Sequence, residues 1–139
     1  MADVSSSASQ PKKRPLSPHL QIYKPMLTMM MSIMHRVTGV ALYFGSLLLA
    51  WVLIALATGP EHFAYARDLA ETWFGQLVLF GYTWALFHHM LGGIRHLVWD
   101  TGRGFHLNTV EWFARLTLIG GLGLAVLTWV IGYNMVGAL

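Results

Sequence analysis

Residues 37–60, VTGVALYFGSLLLAWVLIALATGP, run for 24 positions without a Lys, Arg, Asp or Glu. A helix needs roughly 20 mostly apolar residues to cross the hydrocarbon core of a bilayer, so this run is long enough for one span. Two further runs match it. Residues 72–94 hold 23 uncharged positions, and residues 116–139 hold 24. Helices satisfy their own backbone hydrogen bonds, which makes them the natural form for such segments in lipid. In a chain of 139 residues with only 11% charged, against roughly 25% in a soluble domain, little would remain for a wet surface. The fold class is therefore an all-α membrane protein of three transmembrane helices.

The charges between the runs set the orientation. Ahead of the first run stand Lys12, Lys13, Arg14, Lys24 and Arg36, opposed only by Asp3. The first connection holds Glu61, Arg67, Asp68 and Glu71, three acids to one base, for a net −2. The second holds Arg95, Arg103 and Arg115 against Asp100 and Glu111, net +1. Lys and Arg gather on the cytoplasmic side, so the N-terminus and the second connection are expected inside. The formal charge of +3 thus reports topology, not nucleic-acid binding. Lys12, Lys13 and Arg14 suit contact with anionic lipid. With no cysteine in the chain, a disulfide, a thiolate zinc site and a thiolate-held iron–sulfur cluster are all excluded.

Residues 1–13 are polar and Ser-rich, without the apolar core of a signal peptide, and are expected to be disordered. Residues 14–28 carry Pro15, Pro18 and Pro25 and are expected to be extended along the membrane interface. The transmembrane domain then spans 29–139, with helices at about 29–58, 72–100 and 109–136. Gly59-Pro60 stops the first helix. Residues 61–72 read as a short outer loop with room for a helical turn, and Glu111 is placed in the first turn of the third helix.

Two clusters could carry chemistry. In the second helix, His89, Gly92, Gly93 and His96 fall at i, i+3, i+4 and i+7, on one face. Ionisable residues inside a span are costly and tend to face a bundle interior or a cofactor. His89 can ligate haem iron as a neutral imidazole, with the glycines admitting a flat macrocycle. Equally, it can hydrogen-bond a neighbouring helix while the glycines serve close packing. His88 points about 100° away and reads as an interhelical hydrogen bonder. In the first helix, Ser32, His35 and Arg36 share a face at the same membrane depth. They can bind a quinone carbonyl or a carboxylate, or Arg36 can simply snorkel to the headgroups. Asp100 reads as a proton relay or as an ion-pair partner of Arg95 or Arg103. The tryptophans suit interfacial belts, and the eight methionines suit adaptable packing.

Three stretches carry a resemblance: RPLSPHLQIYKP at 14–25, SIMHRVTG at 32–39 and HHMLGGIRHLVWDTG at 88–102. Together they resemble the cytochrome b subunit of succinate dehydrogenase, the larger of its two membrane anchors, in the mitochondrial and alphaproteobacterial branch. The similarity extends from Arg14 over nearly the whole chain.

The resemblance implies a two-subunit anchor bundle in a bacterial inner membrane. A small anchor subunit, an iron–sulfur subunit and a flavoprotein subunit are its implied partners. It further implies haem b shared with the small anchor, which supplies the second axial ligand, and ubiquinone as the electron acceptor. His89 is then the axial ligand from this chain. Ser32 and Arg36 match quinone-site residues. His35, Arg36 and His96, with Gly92 and Gly93, match the haem pocket and its propionates. Related sequences can have Tyr where His88 stands. A haem-free structural anchor and the anchor of a quinol:fumarate reductase are the alternative readings.

Overall fold

The computed structural model describes residues 14–17 and 22–137. The expected disordered tail at 1–13, with Lys12 and Lys13, lies outside them, as does part of the interfacial segment at 18–21. Among the described residues four helices follow in chain order: α1 (Leu27–Thr58), α2 (Pro60–Glu71), α3 (Trp73–Asp100) and α4 (Leu107–Val136). Three of them, α1, α3 and α4, are long and apolar enough to cross a membrane. At 1.5 Å per residue the 32 residues of α1 reach about 48 Å, well beyond a hydrocarbon core of about 30 Å. Its two ends therefore extend into the interfaces.

The helix ends follow from local chemistry. Met26 is extended after Pro25, and its carbonyl accepts the first backbone bond of α1, from Met30 N at 3.1 Å. At the other end Gly59 takes φ 144°, a conformation that residues with a Cβ rarely adopt. The chain turns there and Pro60 starts the next helix at a position where its missing N–H costs nothing. Residues 60–71 are thus a 12-residue helix where the sequence reading had a loop. The signals were present, with Pro60 at the start and Glu61 in the first turn. They were masked because α2 is short and charged, and because its apolar side, with Ala66 buried, forms only against α1 and α3. Thr72 then caps α3 by accepting from Gly75 N at 3.0 Å. A Cβ on Gly75 would run into the Leu69 carbonyl, so the tight α2–α3 turn requires glycine there.

The third transmembrane helix begins at Leu107 with His106 as its N-cap. Glu111 lies beyond its first turn, which holds no acid, and pairs with Arg115 at 3.3 Å.

Helix α3 is central and packs on both α1 and α4. Small residues make that possible. Ala85, Ala114 and Ala125 are buried at the helix contacts, which lets backbones approach where lipid supplies no hydrophobic drive for association. Two side-chain bonds also cross from α4 to α3: Trp129 Nε1 donates to Thr83 Oγ1 at 3.3 Å and Tyr133 Oη donates to Gln76 Oε1 at 2.7 Å. Such bonds average only about 0.6 kcal/mol inside membranes, so packing, more than hydrogen bonding, holds the pair. Outward faces carry exposed Leu, Ile, Val and Phe along all three spans, as lipid contact or a partner helix requires. An apolar cavity of about 740 Å³ lies between α1 and α3 and runs from Thr38 towards α2. No histidine lines it.

Candidate functional site

The N-terminal part of α1 and the C-terminal part of α3 meet, and the meeting brings His35, His89 and His96 together. The rings of His35 and His89 are stacked, with centroids 3.9 Å apart and planes 7° from parallel. His96, an exposed residue, stands 5.3 Å from His35 and contacts Trp99 edge-on at 5.2 Å.

The backbone of α1 orients His89. Its Nδ1 lies 3.0 Å from the His35 carbonyl oxygen and 3.4 Å from Thr38 Oγ1. A carbonyl can only accept, so the proton of the neutral ring must sit on Nδ1, which donates to it. Nε2 then carries the lone pair. It makes no hydrogen bond among the described residues and is not sealed into the helix packing. A histidine held by a carbonyl at one nitrogen with its other nitrogen free is the arrangement by which proteins preset a metal ligand. Thr38, only 1% exposed, is the threonine of the SIMHRVTG stretch, but its contact with His89, 51 residues away, is not readable from that stretch.

Glycines divide between three uses. A Cβ on Gly92 would overlap His35 Nδ1, so this glycine exists to receive the His35 ring. Gly39 does the same for His89, whose Cε1 would lie 2.9 Å from a Cβ there. Gly93, one position along from Gly92, would meet nothing within 4 Å. It faces open space on the side of α3 that also carries His89, and a flat group can lie against it. Gly92 thus serves the packing of α1 on α3, as Gly45 on α1 does by receiving the Tyr82 ring, while Gly121 on α4 sits against the backbone of His88.

His88 is 0% exposed, wedged against Gly121 and tilted on Trp84 at 5.4 Å. Neither of its ring nitrogens has a hydrogen-bond partner. The expected interhelical hydrogen bond is therefore not formed among the described residues, and Gly121 packs on the Cα, N and Cβ of His88. This site is closed to a macrocycle, whereas that of His89 is not.

Arg95 is the residue that the sequence reading left without a role of its own. It is 6% exposed and lies 5.1 Å over the Trp99 ring, with Nε buried and unpartnered. Trp99 is itself fixed by donating to the Gly104 carbonyl at 3.3 Å. A cation–π contact is worth about 0.5–2 kcal/mol, whereas an unpaired buried charge costs several. Trp99 does not balance that cost, and no carboxylate of the described residues pairs with Arg95. Asp100 is exposed and bonds neither Arg95 nor Arg103. The ion pair expected of it is absent because its side chain leaves the helix towards solvent.

Ser32 and Arg36 stand one turn apart on α1, with Arg36 Nη2 donating to Ser32 Oγ at 3.5 Å. Ser32 is half-buried and Arg36 exposed, so the guanidinium keeps most of its donors free. Among the described residues no three metal-capable side chains enclose an ion. The histidines thus do not make a metal cage. They suit a group bringing most of its own ligands, with one protein nitrogen at Nε2 of His89 and cations nearby for its acids.

Comparison with known proteins gives a consistent picture. Residues 10–132 match the family model described as the succinate dehydrogenase/fumarate reductase transmembrane subunit. The succinate dehydrogenase cytochrome b556 subunit of Paracoccus denitrificans is 41% identical over 131 residues, covering 94% of this chain and 97% of that protein. The subunit of the same name from Rickettsia conorii is 41% identical over 118 residues, 85% of this chain and 92% of its own length. The mitochondrial cytochrome b560 subunit of Sus scrofa is 36% identical over 123 residues, 82% of this chain and 71% of its own.

Proposed function

This chain belongs to the succinate dehydrogenase/fumarate reductase transmembrane-subunit family, and on that premise we propose that it is the haem-binding large anchor of a succinate dehydrogenase, forming part of the site where ubiquinone is reduced. The observation that carries the reading is the fixed tautomer of His89, whose Nδ1 is spent on the His35 carbonyl at 3.0 Å. That leaves Nε2 as the atom that would hold the iron of a b-type haem, the type of group that the relatives' cytochrome b names denote. When bound, haem supplies a site that takes up and releases one electron at a time. The open side of Gly93 would leave room for the macrocycle, and His35, His96, Arg36 and Arg95 are the residues that would lie near its carboxylates. A small anchor subunit, whose helices the exposed apolar faces of α1 and α3 suit, would help hold the same haem.

Ubiquinone takes two electrons and two protons to become ubiquinol, so its site must hold a carbonyl with donors and reach water. Ser32 and Arg36 meet both needs. The hydroxyl and the guanidinium converge within 3.5 Å, and the exposed Arg36 opens on the interface. Its fixed charge also favours negative charge developing on the quinone oxygen. Electrons reach this site from a flavoprotein subunit, which oxidises succinate, through an iron–sulfur subunit. The excess of Lys and Arg on the N-terminal side supports an N-terminus in the cytoplasm, and the similarity to bacterial relatives supports a bacterial inner membrane. Asp100, exposed at the end of α3, is at most a proton relay from water.

Reduced-minus-oxidised optical spectra of the purified complex test the assignment. The b-type band is expected in the wild type and in His88→Ala, and is expected to vanish in His89→Ala. A band that survives His89→Ala and vanishes in His88→Ala overturns the ligand; no band in the wild type makes the chain a haem-free anchor.

A further inference from the structure

At the end of the bundle opposite the histidines, a second groove of about 560 Å³ lies between α3 and α4. Its position is defined by Gln76, near the start of α3, and by Thr128 to Val136, the last turns of α4. The eight-residue step from Thr128 to Val136 is about 12 Å, so the groove descends from headgroup level into the hydrocarbon. Leu79, Trp129 and Gly132 give it apolar walls. A Cβ at Gly132 would meet nothing within 4 Å, so this glycine leaves the groove open and serves no helix contact.

The mouth is polar in a specific pattern. Arg67 and Glu71 of α2 line it, with Arg67 Nε 3.6 Å from Glu71 and Nη2 3.3 Å from Asp68. Exposed pairs of this kind contribute only about 0–1 kcal/mol, so their members can exchange partners at little cost. Below them Gln76 spends its Oε1 on the Tyr133 hydroxyl, while its Nε2 has no hydrogen-bond partner among the described residues. Read downwards, the groove offers a cation beside a carboxylate, then an amide donor, then an apolar trough.

We infer that the groove is a binding site for a zwitterionic glycerophospholipid with a primary ammonium headgroup. The phosphate meets Arg67, the ammonium meets Glu71, an ester carbonyl accepts from Gln76 Nε2, and an acyl chain lies along Leu79, Trp129 and Gly132. Charge selects the headgroup. The connection at 61–71 carries three acids to one base, net −2, which repels a purely anionic lipid. A quaternary ammonium offers no N–H for the Glu71 carboxylate to accept, which disfavours a choline headgroup.

Native mass spectrometry of the intact complex, delipidated and then exposed to mixed vesicles of equal parts phosphatidylethanolamine, phosphatidylglycerol and phosphatidylcholine, tests this. One phosphatidylethanolamine per copy of the chain is expected, held about tenfold more strongly than the other two, a preference of about 1.4 kcal/mol. Arg67→Ala should remove the headgroup preference. Gly132→Phe should remove the lipid while keeping the melting temperature, since the ring enters open space. Equal retention of all three lipids, or undiminished phosphatidylethanolamine in a well-folded Gly132→Phe complex, overturns the proposal. If Gly132→Phe does not assemble, an unchanged preference in Arg67→Ala overturns it alone.

Discussion

His35 holds His89 twice, by stacking its ring 3.9 Å away and by accepting the Nδ1 proton at its own backbone carbonyl. The two contacts differ in what they can lose. Substituting His35 removes the ring, but the carbonyl remains as long as α1 is helical. His35→Ala should therefore retain haem at reduced occupancy, whereas His89→Ala should lose it. Haem content per flavin measures both.

Thr38 lies 3.4 Å from the same nitrogen. Thr38→Val keeps the shape, removes that oxygen and leaves Nδ1 to the carbonyl alone. Partners of this kind typically change metal affinity or activity about 10–100-fold when removed. Because the carbonyl survives, the lower end, about tenfold in haem affinity, is expected, together with a shifted midpoint potential in a redox titration.

Gly92 and Gly93 are adjacent yet should respond oppositely to alanine. At Gly92 the methyl group meets the His35 ring, so Gly92→Ala should lower both thermal stability and haem content. Overpacking of this sort costs about 1–3 kcal/mol. At Gly93 the methyl meets nothing in this chain, and alanine favours the helix by up to about 1 kcal/mol. Gly93→Ala should leave the apo-anchor's melting temperature unchanged or raised while haem uptake falls. Haem uptake equal to wild type would show that the macrocycle lies elsewhere.

Gly121 carries the α3–α4 contact, where a Cβ would stand 3.1 Å from His88 Cα and 3.2 Å from His88 N. Backbone cannot rotate away as a side chain can. Gly121→Ala should lower the melting temperature of the complex, with Gly123→Ala, which meets nothing within 4 Å, as the control.

Arg36→Ala and Ser32→Ala should lower succinate–ubiquinone reductase activity while leaving succinate oxidation with a soluble dye acceptor intact. Bonds to charged groups are worth about 1.5–3 kcal/mol, so about a 10–100-fold fall in kcat/KM for ubiquinone is expected for Arg36→Ala and a smaller one for Ser32→Ala. Equal losses with dye and quinone would place the defect in assembly.

Much of this was legible in one dimension because a bilayer imposes one-dimensional rules. An uncharged run of 24 residues has to be a span, and the i, i+3, i+4, i+7 spacing of His89, Gly92, Gly93 and His96 fixes a common face on any helix. α2 was read as a loop because its propensity is ordinary and its apolar side is narrow, so its helix rests on the groove it covers. Thr38 and Arg95 both stand in the stretches that carry the resemblance, but their surroundings are not legible there. Thr38 on α1 gains its partner only when α3 brings His89 against it, and Arg95 is buried only once the helices pack.

The linear chain therefore determined the number of spans and the pool of residues able to ligate or bind, since these depend on charge and period alone. Only the tertiary structure decided between His88 and His89 as the nitrogen left open, and between Gly92 and Gly93 as the glycine left facing space. Adjacent residues on a helix differ by about 100°, and which of two such directions meets a ring, a backbone or lipid is set by where the neighbouring helices pack.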